Sequence, residues 1–300
     1  MTTLMVAAAA VCGVTVEMPA VSRAQIFHSG VDVVYVNATV TDSNGRLVQG
    51  LARDDFVIYE EGVEQPVTQF TGERVPVSLG LLLDASDSML GAPMRDLRLA
   101  VDRFLVDLLP ASDEAFILAF NHRPYPVATW NSPPSRVAHT VEAIRPWGGT
   151  AIYDALVAAM PMFGRRQHQR AATVVISDGA DTASDTTLAD VRSAFHRSDA
   201  FLYAIAIDVP DKRRSARVRP EALKELTDAS GGYTEVIHST QELGDATARI
   251  ADELNHQYTL GYVAPRPADG TYRSIRVKVK TAGYFVRARR GYVAVARRLP

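Results

Sequence analysis

VSLGLLLDASDSML, running from Val77 to Leu90, is the stretch that decides the fold. Leu79 to Leu83 form an apolar run interrupted only by Gly80, and the run stops abruptly at Asp84-Ala85-Ser86-Asp87-Ser88. A continuous apolar run of this length reads as a strand buried on both faces, the habit of a parallel sheet covered by helices. In such sheets ligands gather at the carboxyl ends of the strands. Here that end carries Asp84, Ser86 and Ser88 at alternate positions. All three are hard oxygen donors, suited to Mg²⁺ or Ca²⁺ rather than to zinc or copper. Alternate residues project to one side, so the hydroxyls of Ser86 and Ser88 can aim at one point.

Two later stretches bring further oxygens. Trp147-Gly148-Gly149-Thr150 is a glycine loop ending in a hydroxyl, and ATVVISDG, from Ala172 to Gly179, is a second apolar strand that runs into Asp178. The order Asp-x-Ser-x-Ser, then Thr after a glycine pair, then Asp after a buried strand resembles the metal-ion-dependent adhesion site of von Willebrand factor type A domains. The likeness is to the exported, stand-alone bacterial type and covers about residues 75–256. It implies a single Mg²⁺, with Mn²⁺ or Ca²⁺ as substitutes, held by Ser86, Ser88 and Thr150, with Asp84 and Asp178 acting through water or ligating directly in one state. It also implies that a partner protein's Asp or Glu completes the sphere. Integrin-type domains have a second cation site built partly from acids just beyond the serines; Gly91 and Ala92 stand there in this chain. Without Thr150 and Asp178, the serine motif would read as a helix start capped by Asp87 or Ser88.

Composition narrows the alternatives. A 47% hydrophobic, 22% charged chain of 300 residues is that of an ordinary globular protein, and a net charge of −2 argues against electrostatic binding to nucleic acid. LMVAAAAVCGVTV, from Leu4 to Val16, is too short to span a membrane. Followed by Ser22-Arg23-Ala24, it reads as a secretory signal cut after Ala24 (residues 1–24), giving a periplasmic or secreted chain with no transmembrane helix once mature. A frayed alanine-rich tail is the second reading. A lipid anchor at Cys12 is the third, disfavoured by the bulky Val11. Cys12 is the only cysteine, so the mature chain has no disulfide and no thiol chemistry. The seven histidines fall singly, without metal-ligand spacing.

Around the central stretch the pattern changes twice. Residues 31–73 read as β: Val34, Val36, Ala38 and Val40 alternate with polar neighbours, Asn44-Gly45 marks a turn, Phe56 to Glu60 is strand-like, and Val67 to Phe70 suggests a third strand. Residues 75–256 alternate strands with helices, among them Met94–Leu109, Ser135–Ile144 with Ser135 as cap, Ala151–Phe163 and Leu243–His256. Residues 257–294 return to β, with Ile275, Val277 and Val279 alternating against Arg276, Lys278 and Lys280. Each flanking piece is too small to bury much alone. The expected architecture is therefore an α/β, doubly wound, mostly parallel sheet inserted between two β segments that pair into a small β-sandwich.

Two functions compete. The first is an exported, non-enzymatic adhesion or scaffold module that holds a protein partner through the cation. The second is a metal-dependent hydrolase, for instance a phosphoesterase, at the same site. Ser86 stands where an aspartyl phosphotransferase would need its general acid, and there is neither a nucleophile elbow nor a phosphate-binding Gly-x-x-x-x-Gly-Lys loop.

Overall fold

The computed structural model describes residues 32–130, 132, 134–178, 180–208 and 220–295. The secretory reading, Cys12 and the basic cluster Lys212-Arg213-Arg214 lie outside them. Strands β1 (Val33–Thr41), β2 (Phe56–Glu60), β3 (Val63–Gln65) and β4 (Gln69–Thr71) come first. Then follow β5 (Val77–Asp84), α1 (Ala92–Arg103), β6 (Glu114–Phe120), β7 (Pro124–Ala128), α2 (Pro134–Ala143), α3 (Ile152–Ala159), β8 (Arg170–Ser177), α4 (Leu188–Arg197), β9 (Phe201–Ile207), α5 (Pro220–Ser230), β10 (Thr234–Ile237) and α6 (Leu243–Asn255). The chain closes with β11 (Tyr258–Val263), β12 (Tyr272–Val279), β13 (Phe285–Ala288) and β14 (Gly291–Val293).

All eight residues of β5 are buried because helices cover both of its faces. Leu79, Leu81 and Leu83 pack with α1 and α6 through Leu97, Val101, Ile250 and Leu254. Leu82 points the other way, into a cluster with Leu156 of α3, Val191 of α4 and Leu226 of α5. The central sheet runs β10-β9-β8-β5-β6-β7, parallel except for β7, which lies antiparallel on β6 at the edge. Strand order reverses direction around β5, so β5 and β8 lie side by side in parallel, Leu83 opposite Ile176. That register delivers Asp84 and Asp178 to one rim.

The β segments from the two ends of the chain interleave. One sheet has the order β13-β1-β11-β4, the other β14-β12-β2-β3. Val36, Ile58, Leu260, Tyr262 and Val277, drawn from both, share one buried cluster. Polar contacts tie the first sheet to the α/β layers. Arg170 of β8 donates to the carbonyls of Val75 (2.6 Å) and Leu254 (2.9 Å) and to Gln257 (2.6 Å). Glu253 of α6 is ion-paired with Arg287 of β13 and accepts from Thr39 and Tyr203, both at 2.9 Å. The buried Glu253 carboxylate is thus compensated by a cation and two hydroxyl donors.

Several sequence expectations need correction. α2 begins at Pro134, so Ser135 lies inside it and is not its cap. Proline already has the helical φ of a first turn. The third early strand is Gln69–Thr71 rather than residues 67–70, and β3 and β14 are additional. The helix after β5 ends in a π-turn, Phe104–Leu108, instead of continuing as α-helix.

Gly80, the one break in the apolar run, has a packing reason. It sits opposite Phe116 on β6, and a Cβ there would lie 2.5 Å from the ring's Cζ. That ring is itself packed edge-on against Trp130 (4.7 Å) and Phe163 (5.3 Å). Gly80→Ala is expected to cost about 1–3 kcal/mol by overpacking, read as a lower urea midpoint at unchanged slope. An unchanged midpoint would show that the Phe116 ring gives way freely.

Candidate functional site

The site lies where β5 and β8 run out. Asp84, the last residue of β5, is wholly buried. Its Oδ1 accepts the backbone N–H of Ser86 at 2.8 Å, which folds the chain tightly after the strand, and its Oδ2 accepts the hydroxyl of Ser177 at 2.5 Å. Ser88 donates its hydroxyl to Oδ1 of Asp178 at 2.6 Å and stands 2.9 Å, oxygen to oxygen, from Ser86. Asp178, Ser88 and Ser86 thus form one chain of side-chain oxygens, and Asp84 joins it through the Ser86 backbone.

Thr150 reaches the same rim by a loop pinned at several points. Trp147 N–H donates to the carbonyl of Ala85 (2.9 Å), Asp87 N–H to the carbonyl of Gly148 (3.0 Å), and Ala151 N–H to the carbonyl of Asn121 (2.7 Å). Thr182 completes the frame: its hydroxyl accepts from Thr150 N–H at 3.0 Å, and its own N–H donates to the Thr150 carbonyl at 2.8 Å. The glycines serve close approach as well as the turn. Gly148 has φ +79°, and a Cβ on Gly149 would stand 3.1 Å from that of Ala183. Thr150 itself is buried.

The capping alternative for the serine motif does not hold. A short 3-10 turn spans Asp87–Met89 with Ser86 at its cap position, yet no side chain makes a capping hydrogen bond there, and Gly91 occupies the cap position of α1. The Ser88 hydroxyl donates to Asp178 instead, and that of Ser86 lies against Ser88. Asp87 is exposed, as a solvated carboxylate would be. Asp181 accepts from Tyr153 N–H (3.2 Å) and from the Ser184 hydroxyl (2.6 Å), which makes it a loop brace. Among the described residues no group of three or more His, Cys, Asp or Glu side chains is gathered for a metal. The donor set here consists of hydroxyls with two carboxylates behind them.

Ser177, Thr182 and Asn121 are the contributors that the motif reading passed over. Ser177 had a readable signal, a polar residue ending the otherwise apolar strand just before Asp178. Thr182 and Asn121 act through loop contacts that leave no periodic trace.

Electrostatics set this rim apart. Burial, reinforced by the negative charge of Asp178, pushes the Asp84 carboxyl up to about 7, against the hydrogen bonds from Ser177 and Ser86 that favour its ionised form. A carboxyl with a folded pKa above its unfolded value of 3.8 binds its proton more tightly when folded. Below about pH 4 it contributes no difference. From there stability falls as pH rises through about 7. In chelator, the chain is expected to lose on the order of a few kcal/mol between about pH 5 and pH 8, and Asp84→Asn to flatten that loss. Parallel pH profiles for both proteins, from urea unfolding, would mean that Asp84 is not strained by its setting.

Residues 79–180, which hold the whole oxygen cluster, match the von Willebrand factor type A domain family. No curated protein matches the sequence significantly. Among solved structures, a von Willebrand factor type A protein from Catenulispora acidiphila aligns with 89% of this chain and 75% of its own, at TM-score 0.52 and 14% identity. An aerotolerance-related membrane protein from Bacteroides fragilis aligns with 60% of this chain and 98% of its own (TM-score 0.50, 18% identity). The PilB minor pilin from Streptococcus sanguinis aligns with 62% and 63% respectively (TM-score 0.50, 13% identity). At these identities the likeness is one of fold.

Proposed function

We propose that this chain is an exported, non-enzymatic binding module that holds a partner protein's carboxylate through a divalent cation, Mg²⁺ or its substitutes Mn²⁺ and Ca²⁺. In this reading the α/β unit is inserted into a β-sandwich formed by the two flanking segments. The observation that carries it is the run of oxygens from Ser86 to Ser88 to Asp178, with buried Asp84 behind it and the Thr150 loop pinned alongside.

The donor chemistry fits. Every group is a hard oxygen, the class that Mg²⁺ and Ca²⁺ take. The mutual repulsion of Asp84 and Asp178 is relieved by positive charge between them. Neutral hydroxyls leave most of that charge unquenched, so a bound cation supplies an electrophilic position for an incoming carboxylate. Ser86, Ser88 and Thr150 would hold the ion directly. Ser177 and the Ser86 N–H keep Asp84 turned inward. The hydrolase reading requires Asp84 as nucleophile, yet both of its oxygens are engaged and neither reaches solvent.

Calorimetric titration with Mn²⁺ tests the proposal. The wild-type chain is expected to take up a single ion, and Ser88→Ala to bind it about tenfold or more weakly, a loss of about 1.4 kcal/mol or more. Asp84→Asn is expected to weaken uptake while stabilising the metal-free fold, two effects of opposite sign. Equal affinity in wild type and Ser88→Ala would remove the site.

A further inference from the structure

Close to the oxygen cluster lies a second feature that ion coordination does not use. Helices α1 and α2 flank a groove of about 950 Å³ that begins at Leu90, two residues past Ser88. Met94, Val101 and Val141 are buried along it. Leu90 and Leu99 stand 70% and 65% exposed beside it, and Val106, at the π-turn, is 59% exposed. Trp147, on the pinned loop one residue past the groove's Pro146, is 55% exposed, its ring against His122 at 4.4 Å. Single exposed apolar residues are ordinary, whereas a cluster of large ones in one groove marks a contact surface.

The charge at this groove is unbalanced in a particular way. Arg98 of α1 and Arg145 after α2 both donate to the carbonyl of Ile144, at 2.7 and 3.3 Å, which brings two guanidiniums to one point. Arg145 also donates to the carbonyl of Glu142 at 2.8 Å. Among the described residues neither guanidinium is ion-paired with a carboxylate, although Asp102 and Glu142 line the same groove. The Nε–H of Arg98 is buried and has no hydrogen-bond acceptor. Two cations sharing one neutral acceptor make a site that an anion would complete.

We infer that the groove between α1 and α2 is the docking surface for the partner's own polypeptide. The partner segment carries two carboxylates and a large apolar side chain: one carboxylate at the ion, the second on Arg98 and Arg145, the apolar group against Leu90 and Leu99. This rests on the ion reading and adds the chemistry of the partner. The ion supplies one strong, directional bond common to any carboxylate. The guanidinium pair and the exposed leucines supply the discrimination among acidic partners that a single bond cannot.

A phage-displayed random peptide library, panned on the full chain in Mn²⁺ and eluted with chelator, tests the inference. The selected peptides are expected to share two acidic residues and a large apolar one. Synthetic copies are expected to bind Arg145→Gln and Leu99→Glu about tenfold more weakly than wild type, with Mn²⁺ uptake unchanged in both variants. Both substitutions are at exposed positions, and intact Mn²⁺ uptake reports that the fold survives them. Selected peptides that lack this pattern, or that bind both variants as tightly as wild type while Mn²⁺ uptake is normal, overturn the groove assignment and leave the ion reading intact. A wild-type chain that takes up no Mn²⁺ sinks the ion reading and this inference with it.

Discussion

Two carboxylates buried on neighbouring strands repel each other, and that repulsion is the constraint around which this protein is arranged. Asp84 ends β5 and Asp178 directly follows β8, and the parallel register of those strands brings their side chains to the same rim. Desolvation and the charge of Asp178 alone would push the Asp84 carboxyl up further still. Instead Ser177 and Ser86 hydrogen-bond to Asp84, and Ser88 to Asp178. Hydrogen bonds of this kind favour the ionised form, and at Asp84 they offset part of the cost of burial without cancelling it. A fold concerned only with stability would have apolar residues there, since replacing buried charge with well-packed hydrophobic groups is commonly neutral or favourable.

The rest of the architecture follows from holding that rim still. Leucines on both faces of β5 anchor the strand between two helical layers, and the Phe116 ring packed over Gly80 fixes it laterally. The glycine loop is tied to the strand ends by backbone hydrogen bonds, so Thr150 is positioned by main chain rather than by its own rotamer. At the opposite side of the layers, Arg170 and Glu253 join the α/β unit to the sheet built from the chain's two ends. Sites carried on such rigid elements hold their geometry without a ligand.

Much of this was legible in the sequence, for identifiable reasons. β5 and β8 are buried on both faces and therefore appear as largely apolar runs without alternation. β1 and β12 have one wet face and therefore alternate. Where the physics is local and short, the pattern fails. β3 is three residues, Val63-Glu64-Gln65, entered through a turn in which Glu61 adopts φ +51° without being glycine. The Phe104–Leu108 π-turn keeps an apolar helical spacing while changing the hydrogen-bond period, and composition cannot register that. Among the candidate site residues, the five in the motif were readable because residue type and place at a strand end or glycine loop occur together. Thr182 and Asn121 were not, because a supporting group can come from any position that the backbone brings near. Leu99 and the Arg98–Arg145 pair were also hidden: the guanidiniums are separated in sequence and meet only because α1 and α2 are neighbours.

The most direct test is anomalous diffraction from a crystal of the chain soaked in Mn²⁺. A single peak is expected about 2.2 Å from the hydroxyl oxygens of Ser86 and Ser88, with Thr150 on its sphere and Asp84 and Asp178 directly or one water behind. A peak on other residues, or none at full soak with the serines still bonded to Asp178, would contradict the account at its root.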